Sequence, residues 1–254
     1  MSLTLTILAS SSEANCSLIR SATTTVMVDC GLPRETCMKK LAEIGVDPET
    51  IMAICATHGH NDHVGGLDGF AGRLSIPVYC SRGEADFLKI SGCRLPLKRF
   101  ESGSNFVIGD IHVRSFTIPH DAADPVGFRF TAENGSRVIS YATDLGWIPP
   151  DVENHLLDAD LLAIEANYDS DMLKSAPRPR ATKVRIAGGA GHLSNDQTCE
   201  MLTRISDGRP SEVVIMHVSQ ATNDQELCRL MCEQAVAGRG VRIMMATDVI
   251  GRAL

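Results

Sequence analysis

The sequence predicts a layered α/β fold, two sheets packed face to face with helices outside. Short apolar runs rich in Val, Ile, Leu and Thr recur through both halves of the 254 residues, and stretches with apolar residues at helical spacing lie between them. No long Ser/Gly/Pro-rich linker divides the chain, so one domain over residues 1–254 is expected. With 44% hydrophobic and 22% charged residues, disordered and fibrous classes are excluded.

Strand candidates run over residues 3–8, 16–19, 24–28 and 51–55. Between the third and fourth, Pro33 opens a helical pattern that reaches Ile44. A short apolar run at 77–79 precedes a helical stretch over 81–90. Strands follow near 97–100, 105–108, 111–117, 126–131 and 137–142, and Asn134-Gly135 makes a hairpin turn between the last two. Beyond them strands at 161–164, 212–216 and 241–245 alternate with helices at 196–206 and 225–237.

Lys plus Arg number 24 against 31 Asp plus Glu, a formal charge of -7. The chain as a whole does not attract polyanions, so an anionic partner needs a local basic patch or bound cations. Nine cysteines without a CxxC pair read as reduced thiols used as small apolar residues. The N-terminal apolar run has no basic residue before Arg20 and reads as a strand rather than a signal peptide. No stretch reaches 18 uninterrupted apolar residues. A cytoplasmic protein with no membrane partner is expected; the oligomeric state is left open.

One cluster dominates the chemistry: Thr57-His58-Gly59-His60-Asn61-Asp62-His63, directly after the apolar run at 51–55. Three imidazoles and a carboxylate in six residues follow neither a strand nor a helix period, and a turn through Gly59 could gather them. Imidazole nitrogen and carboxylate oxygen are the donors that borderline divalent metals prefer. A polar surface turn is the alternative. Histidine is scarce, eight in the chain, and the coincidence of four donors favours the metal.

A second segment carries Arg178, Arg180, Lys183 and Arg185 without an acidic residue between 177 and 192. A Gly-rich turn follows, and Ser194 with Gln197 forms a capping box for a helix whose N-terminus attracts phosphate oxygens. Ser194, Asn195 and the four cations are therefore candidate substrate contacts, a solvated basic face being the alternative. His192, just before that helix, is placed to give a proton to a leaving oxygen. Glu165, after the strand at 161–164, could orient it or could cap a helix.

The H-x-H-x-D-H run resembles the signature of the metallo-β-lactamase superfamily, which implies an αββα four-layer sandwich with a metal centre at one edge of the sheets. His120 in Ile118-Pro119-His120-Asp121, Asp144 in Thr143-Asp144-Leu145-Gly146 and His217, ending Val213-Val214-Ile215-Met216-His217, match the later motifs. By this resemblance His58, His60 and His120 hold one divalent ion, Asp62, His63 and His217 hold another, and Asp144 joins them. Zn²⁺ is expected, and Mn²⁺ or Fe²⁺ suit the same donors. Two dications against Asp62, Asp144 and a bridging hydroxide leave a charge of about +1, which suits a phosphodiester and an activated water aimed at phosphorus. Asp62 thus also belongs to the catalytic set, with His192 and Glu165. His112 and His155 match no motif and are expected to be structural.

The segment LASSSEANC ending at Cys16, Val28-Asp29-Cys30-Gly31, Glu165-Ala166-Asn167-Tyr168-Asp169, Gly191-His192-Leu193-Ser194-Asn195 and the HVSQATND run from His217 are similar to the YycJ/WalJ-like branch, whose members are metal-dependent DNA exonucleases. The resemblance covers nearly the whole chain and implies nucleic acid, DNA above RNA, as substrate, with Asp29 bracing the histidine loop. Departures occur at Ser10-Ser11-Ser12, Tyr168 and Asn223-Asp224, and none removes a ligand. Intact His60 disfavours diiron redox chemistry, and His63 disfavours β-lactamase activity. A thioester or lactone hydrolase of the glyoxalase II type, a small-molecule phosphodiesterase and a non-enzymatic metal-binding regulator are the alternatives.

Overall fold

The computed structural model describes residues 3–206 and 209–254, which divide into two compact units. The first comprises the chain to Thr117, the segment Ala122–Val138 and the C-terminal Val249–Leu254. Its elements are β1 (Thr4–Ser10), β2 (Asn15–Arg20), β3 (Thr25–Val28), α1 (Arg34–Glu43), β4 (Ile51–Cys55), α2 (Asn61–Val64), α3 (Leu67–Leu74), β5 (Val78–Ser81), α4 (Arg82–Ile90), β6 (Leu97–Phe100), β7 (Asn105–Ile108), β8 (Ile111–Thr117) and β9 (Val126–Ala132).

Strands β1 to β6 form one sheet in sequence order, antiparallel from β1 to β3 and parallel from β3 to β6. The change of sense follows from the connections: tight turns join the first three strands, whereas the parallel pairs β3–β4 and β4–β5 are bridged by helices. Cys37 and Leu41 of α1, with Phe70 and Ala71 of α3, join Leu18, Met27, Ile54 and Val78 of the sheet in one buried cluster. Each such aliphatic or aromatic side chain contributes about 1.5–3 kcal/mol by leaving water. The edge strand β1 is covered by the chain end, where Leu5 and Leu254 exchange both backbone hydrogen bonds at 3.1 and 2.9 Å. Strands β7, β8 and β9 form an antiparallel ladder, and β8 alternates buried and exposed residues, leaving His112 outside.

The second unit holds Ile118–Asp121 and Ile139–Asp248. Its elements are β10 (Val138–Ala142), α5 (Pro150–Leu157), β11 (Leu161–Glu165), α6 (Ser170–Ser175), α7 (Arg180–Ile186), α8 (Asn195–Leu202), β12 (Glu212–Met216), α9 (Gln225–Ala235) and β13 (Arg242–Met245). Strands β10 to β13 pair in parallel, and every residue of β10 and β11 is buried, as a strand covered on both faces requires. The predicted capping box opens α8, with Ser194 and Gln197 satisfying each other's backbone.

The strands and longer helices lie close to where the sequence puts them. The Asn134-Gly135 turn is present, with Gly135 at φ +68° and the Ala132 N–H donating to Arg137 O at 3.1 Å. Several segments differ. The basic run is itself a helix, α7, the short helices α2 and α6 have no counterpart in the sequence map, and α3 forms although Gly69 and Gly72 lower its helical propensity. His155 lies in α5, its carbonyl accepting from Ser140 Oγ at 2.9 Å. Among the described residues no helix is long and apolar enough to cross a membrane.

Candidate metal centre

In the first unit the histidine run leaves the C-terminal end of β4. Thr57 follows the strand, His60 caps α2, and the single turn of α2 carries Asp62 and His63. Asp29, at the end of the neighbouring β3, fixes this loop from beneath. It is fully buried, and its Oδ1 accepts from Thr57 N at 2.8 Å while its Oδ2 faces His63 Nδ1 at 2.8 Å. Cys30 N–H donates to His63 O at 2.7 Å, and Gly31 passes so close that a Cβ there would lie 1.8 Å from Asp62 O. Only glycine fits at that crossing.

These contacts decide which nitrogens face outward. With Nδ1 of His63 on Asp29 and Nδ1 of His58 on Thr57 Oγ1 at 3.1 Å, both rings present Nε2. His58 Nε2 lies 3.1 Å from His60 Nδ1, and His63 Nε2 lies 3.4 Å from Asp62 Oδ2. Two donors on a tetrahedral ion with bonds of about 2.1 Å sit about 3.4 Å apart. The two pairs therefore have the bite of a divalent metal, and their chemistry, imidazole with carboxylate, fits one.

The second unit supplies the other candidates. His120 lies in the segment Ile118–Asp121, Asp144 follows β10, Glu165 ends β11 and His217 follows β12. Asp144 and His217 are 2% exposed and Glu165 is fully buried. His120 Nδ1 faces Gly191 O at 3.0 Å, leaving Nε2 3.8 Å from Asp144 Oδ1. Glu165 uses both oxygens: Oε1 accepts from Leu145 N at 2.7 Å and Leu193 N at 2.9 Å. Its Oε2 stands 3.2 Å from Nδ1 of both His192 and His217. Both rings then turn Nε2 away from it.

Charge follows this geometry. Burial alone would push the Glu165 carboxyl up, but the facing His192 and His217 imidazoles outweigh it and hold the pKa down, at about 2. Burial works against protonated His192, yet Glu165 and then Asp144, 3.5 Å from its Nδ1, leave it above the ordinary histidine value. His120 is shifted the other way, because burial prevails over Asp144. A carboxylate 3.2 Å from His192 Nδ1, with Nε2 turned away from it, is the geometry of a positioned acid.

Backbone conformation marks the same residues. Among the described residues, four other than glycine have positive φ: Ser75, closing α3, and Asp29, Asp144 and His217 at 57°, 65° and 53°. The left-handed region costs such residues about 1–2 kcal/mol, and strain of this kind gathers at functional sites.

Other expected site residues are placed less centrally. Arg185 makes two bonds to Asp121, at 2.5 and 2.9 Å, and Lys183 donates to Lys174 O. Arg178 and Arg180 are exposed. Asn195 is buried and exchanges amide hydrogen bonds with Asn223 at 2.9 and 2.8 Å, an internal brace rather than a surface contact. Two amides are missing from the sequence-based set. Asn15 Nδ2 lies 3.1 Å from His63 Nε2 and 3.4 Å from Asp62 Oδ2, and Asn167 Nδ2 donates to His217 O at 2.8 Å. Their only sequence signal is membership of the LASSSEANC and EANYD segments.

Residues 24–218 match the family described as Beta-lactamase superfamily domain, well over half of the chain. The chain belongs to the metallo-β-lactamase superfamily. It is 31% identical over 246 residues to exodeoxyribonuclease WalJ of Streptococcus pneumoniae serotype 2, covering 92% of this chain and 90% of that one. It is 27% identical to exodeoxyribonuclease YycJ of Bacillus anthracis, covering 98% and 95%. The metallo-β-lactamase fold protein YhfI of Bacillus subtilis matches with a TM-score of 0.73 at 17% identity, covering 96% of this chain and 97% of that one. The metallo-β-lactamase fold predicted from the H-x-H-x-D-H run is thereby established, and with it a metal-dependent hydrolase whose histidine and aspartate clusters suit a divalent metal.

Proposed function

We propose that this metallo-β-lactamase-superfamily hydrolase is a phosphodiesterase that acts on DNA as an exonuclease, with residues 1–254 working as one catalytic domain. Its ligands are those the family resemblance assigns: His58, His60 and His120 for one ion, Asp62, His63 and His217 for the second, and Asp144 shared. Two divalent ions, Zn²⁺ foremost, supply Lewis acidity and an activated water when bound. Asp29 and Thr57 keep the Nε2 atoms of His63 and His58 turned towards the metal, and Glu165 does the same for His217. The nine free cysteines support a reducing, cytoplasmic setting.

The observation that carries the reading is the His192–Glu165 pair at 3.2 Å, with Asp144 within 3.5 Å of the same ring nitrogen. A thioester releases a thiolate, which leaves without help near neutral pH, whereas a phosphodiester releases a sugar alkoxide that needs a proton. His192 Nε2, facing away from Glu165, is placed to supply it. The full-length likeness to two exodeoxyribonucleases adds the nucleic acid.

The test incubates metal-loaded protein with end-labelled single- and double-stranded DNA and RNA, beside a thioester substrate. Progressive loss of nucleotides from DNA is the expected result. Thioester turnover with intact polynucleotides overturns the reading.

A further inference from the structure

The chain has one tryptophan, Trp147, three residues beyond Asp144, and it is 48% exposed although Leu145, two residues before it, is fully buried. The turn that presents it is held on several sides. Leu145 N–H donates to Glu165 Oε1 at 2.7 Å, Gly146 N–H to Pro119 O at 2.8 Å, and Gln197 Nε2 to Gly146 O at 3.4 Å. Gly146 also lies so close to the Gly-rich turn after α7 that a Cβ there would sit 2.2 Å from the Gly189 carbonyl carbon. The backbone that carries the indole is thus held in place, and the indole itself stands exposed.

What lies around the platform is chemically specific. Trp147 Cδ1 approaches the open side of Gly189, with 3.9 Å to where a Cβ would stand, and His192 follows Gly189 by three residues. Helix α7, which leads into the same turn, opens with exposed Arg178 and Arg180 at its N-terminal side. An exposed aromatic face near one end of α7, with cations about 10 Å away at the other end of that seven-residue helix, suits the successive bases and phosphates of a single strand. An apolar partner would not need the cations, and a small phosphodiester would not span α7 from the indole to Arg178 and Arg180.

We propose that Trp147 is a stacking platform for an unpaired nucleobase of the substrate strand, with Arg178 and Arg180 holding the adjoining phosphates. The site takes a single-stranded polynucleotide end and tolerates any base, because every base offers a π-face. This rests on the phosphodiesterase reading above and adds how the strand is gripped.

Because Trp147 is the sole tryptophan, intrinsic fluorescence reports on this position alone. The metal-loaded protein is titrated with a 5'-phosphorylated, phosphorothioate-linked oligothymidylate and with an abasic oligomer of equal length. Affinities come from the anisotropy of dye-labelled copies. The intact strand is expected to quench the indole saturably and the abasic strand to leave it bright. Trp147→Ala should weaken oligothymidylate binding about tenfold or more, with Trp147→Phe restoring most of it. Equal quenching by the abasic oligomer, or unchanged affinity in Trp147→Ala, overturns the platform. Turnover of a nitrophenyl phosphodiester by the wild-type protein is read separately: its absence defeats the phosphodiesterase reading, whereas turnover without base-dependent quenching defeats only the platform.

Discussion

Glu165 offers two backbone N–H groups one oxygen and two imidazoles the other. Glu165→Gln keeps the shape and the Oε1 acceptor but puts an amide NH₂ opposite both Nδ1 atoms. The rings must then present Nδ1 as acceptor and carry the proton on Nε2, the wrong tautomer for a metal ligand. The expected outcome is a 10- to 100-fold loss of metal affinity, measured by chelator competition. Asp29→Asn should act in the same way through His63. His192→Ala differs: elemental analysis should find the metal content of wild type, while turnover of a phosphodiester falls at least about 10²-fold. Undiminished turnover in that variant would remove His192 from the chemistry.

At the level of elements, α7 and α8 flank the His192 turn with different tasks. Arg178 and Arg180 are exposed while Arg185 is engaged by Asp121, so the first two should dominate any electrostatic grip. Replacing both with Ala should lower polynucleotide affinity and reduce the slope of log K against log salt by roughly 1.5, whereas Arg185→Ala should have less effect. Ser194→Ala removes the α8 cap and should cost about 1 kcal/mol in denaturant unfolding. These elements also show where sequence reading ends. The candidate metal-binding run at 58–63 is legible because its donors are adjacent in the chain, and the α8 cap because its two partners are three residues apart. Asn15 and Asn167 gain their meaning from neighbours 48 and 50 positions away, a distance no local pattern carries. Helix α7 is hidden because flanking prolines and cations obscure an apolar stripe that only Ile186 buries.

For the whole molecule, the proposed metal centre couples metal binding to folding. With the ligands proposed above, drawn from positions far apart in the sequence, tight binding needs the folded chain, so removing the metal should lower the melting temperature and restoring Zn²⁺ or Mn²⁺ should raise it with concentration. Asp144 makes the linkage sharper. Its carboxylate is buried within 4.8 Å of that of Glu165, and its backbone sits at φ 65°, which asparagine tolerates as readily as aspartate. Without cations the facing His120, His192 and His217 imidazoles are what offsets this crowding, and the expectation is that they do so only in part. Asp144→Asn should therefore melt above wild type in chelator and below it once zinc is supplied. A heat-resistance screen run on apo protein would enrich that substitution and, unknowingly, select for dead enzyme, so any effort to harden this scaffold has to be scored in the presence of its ions.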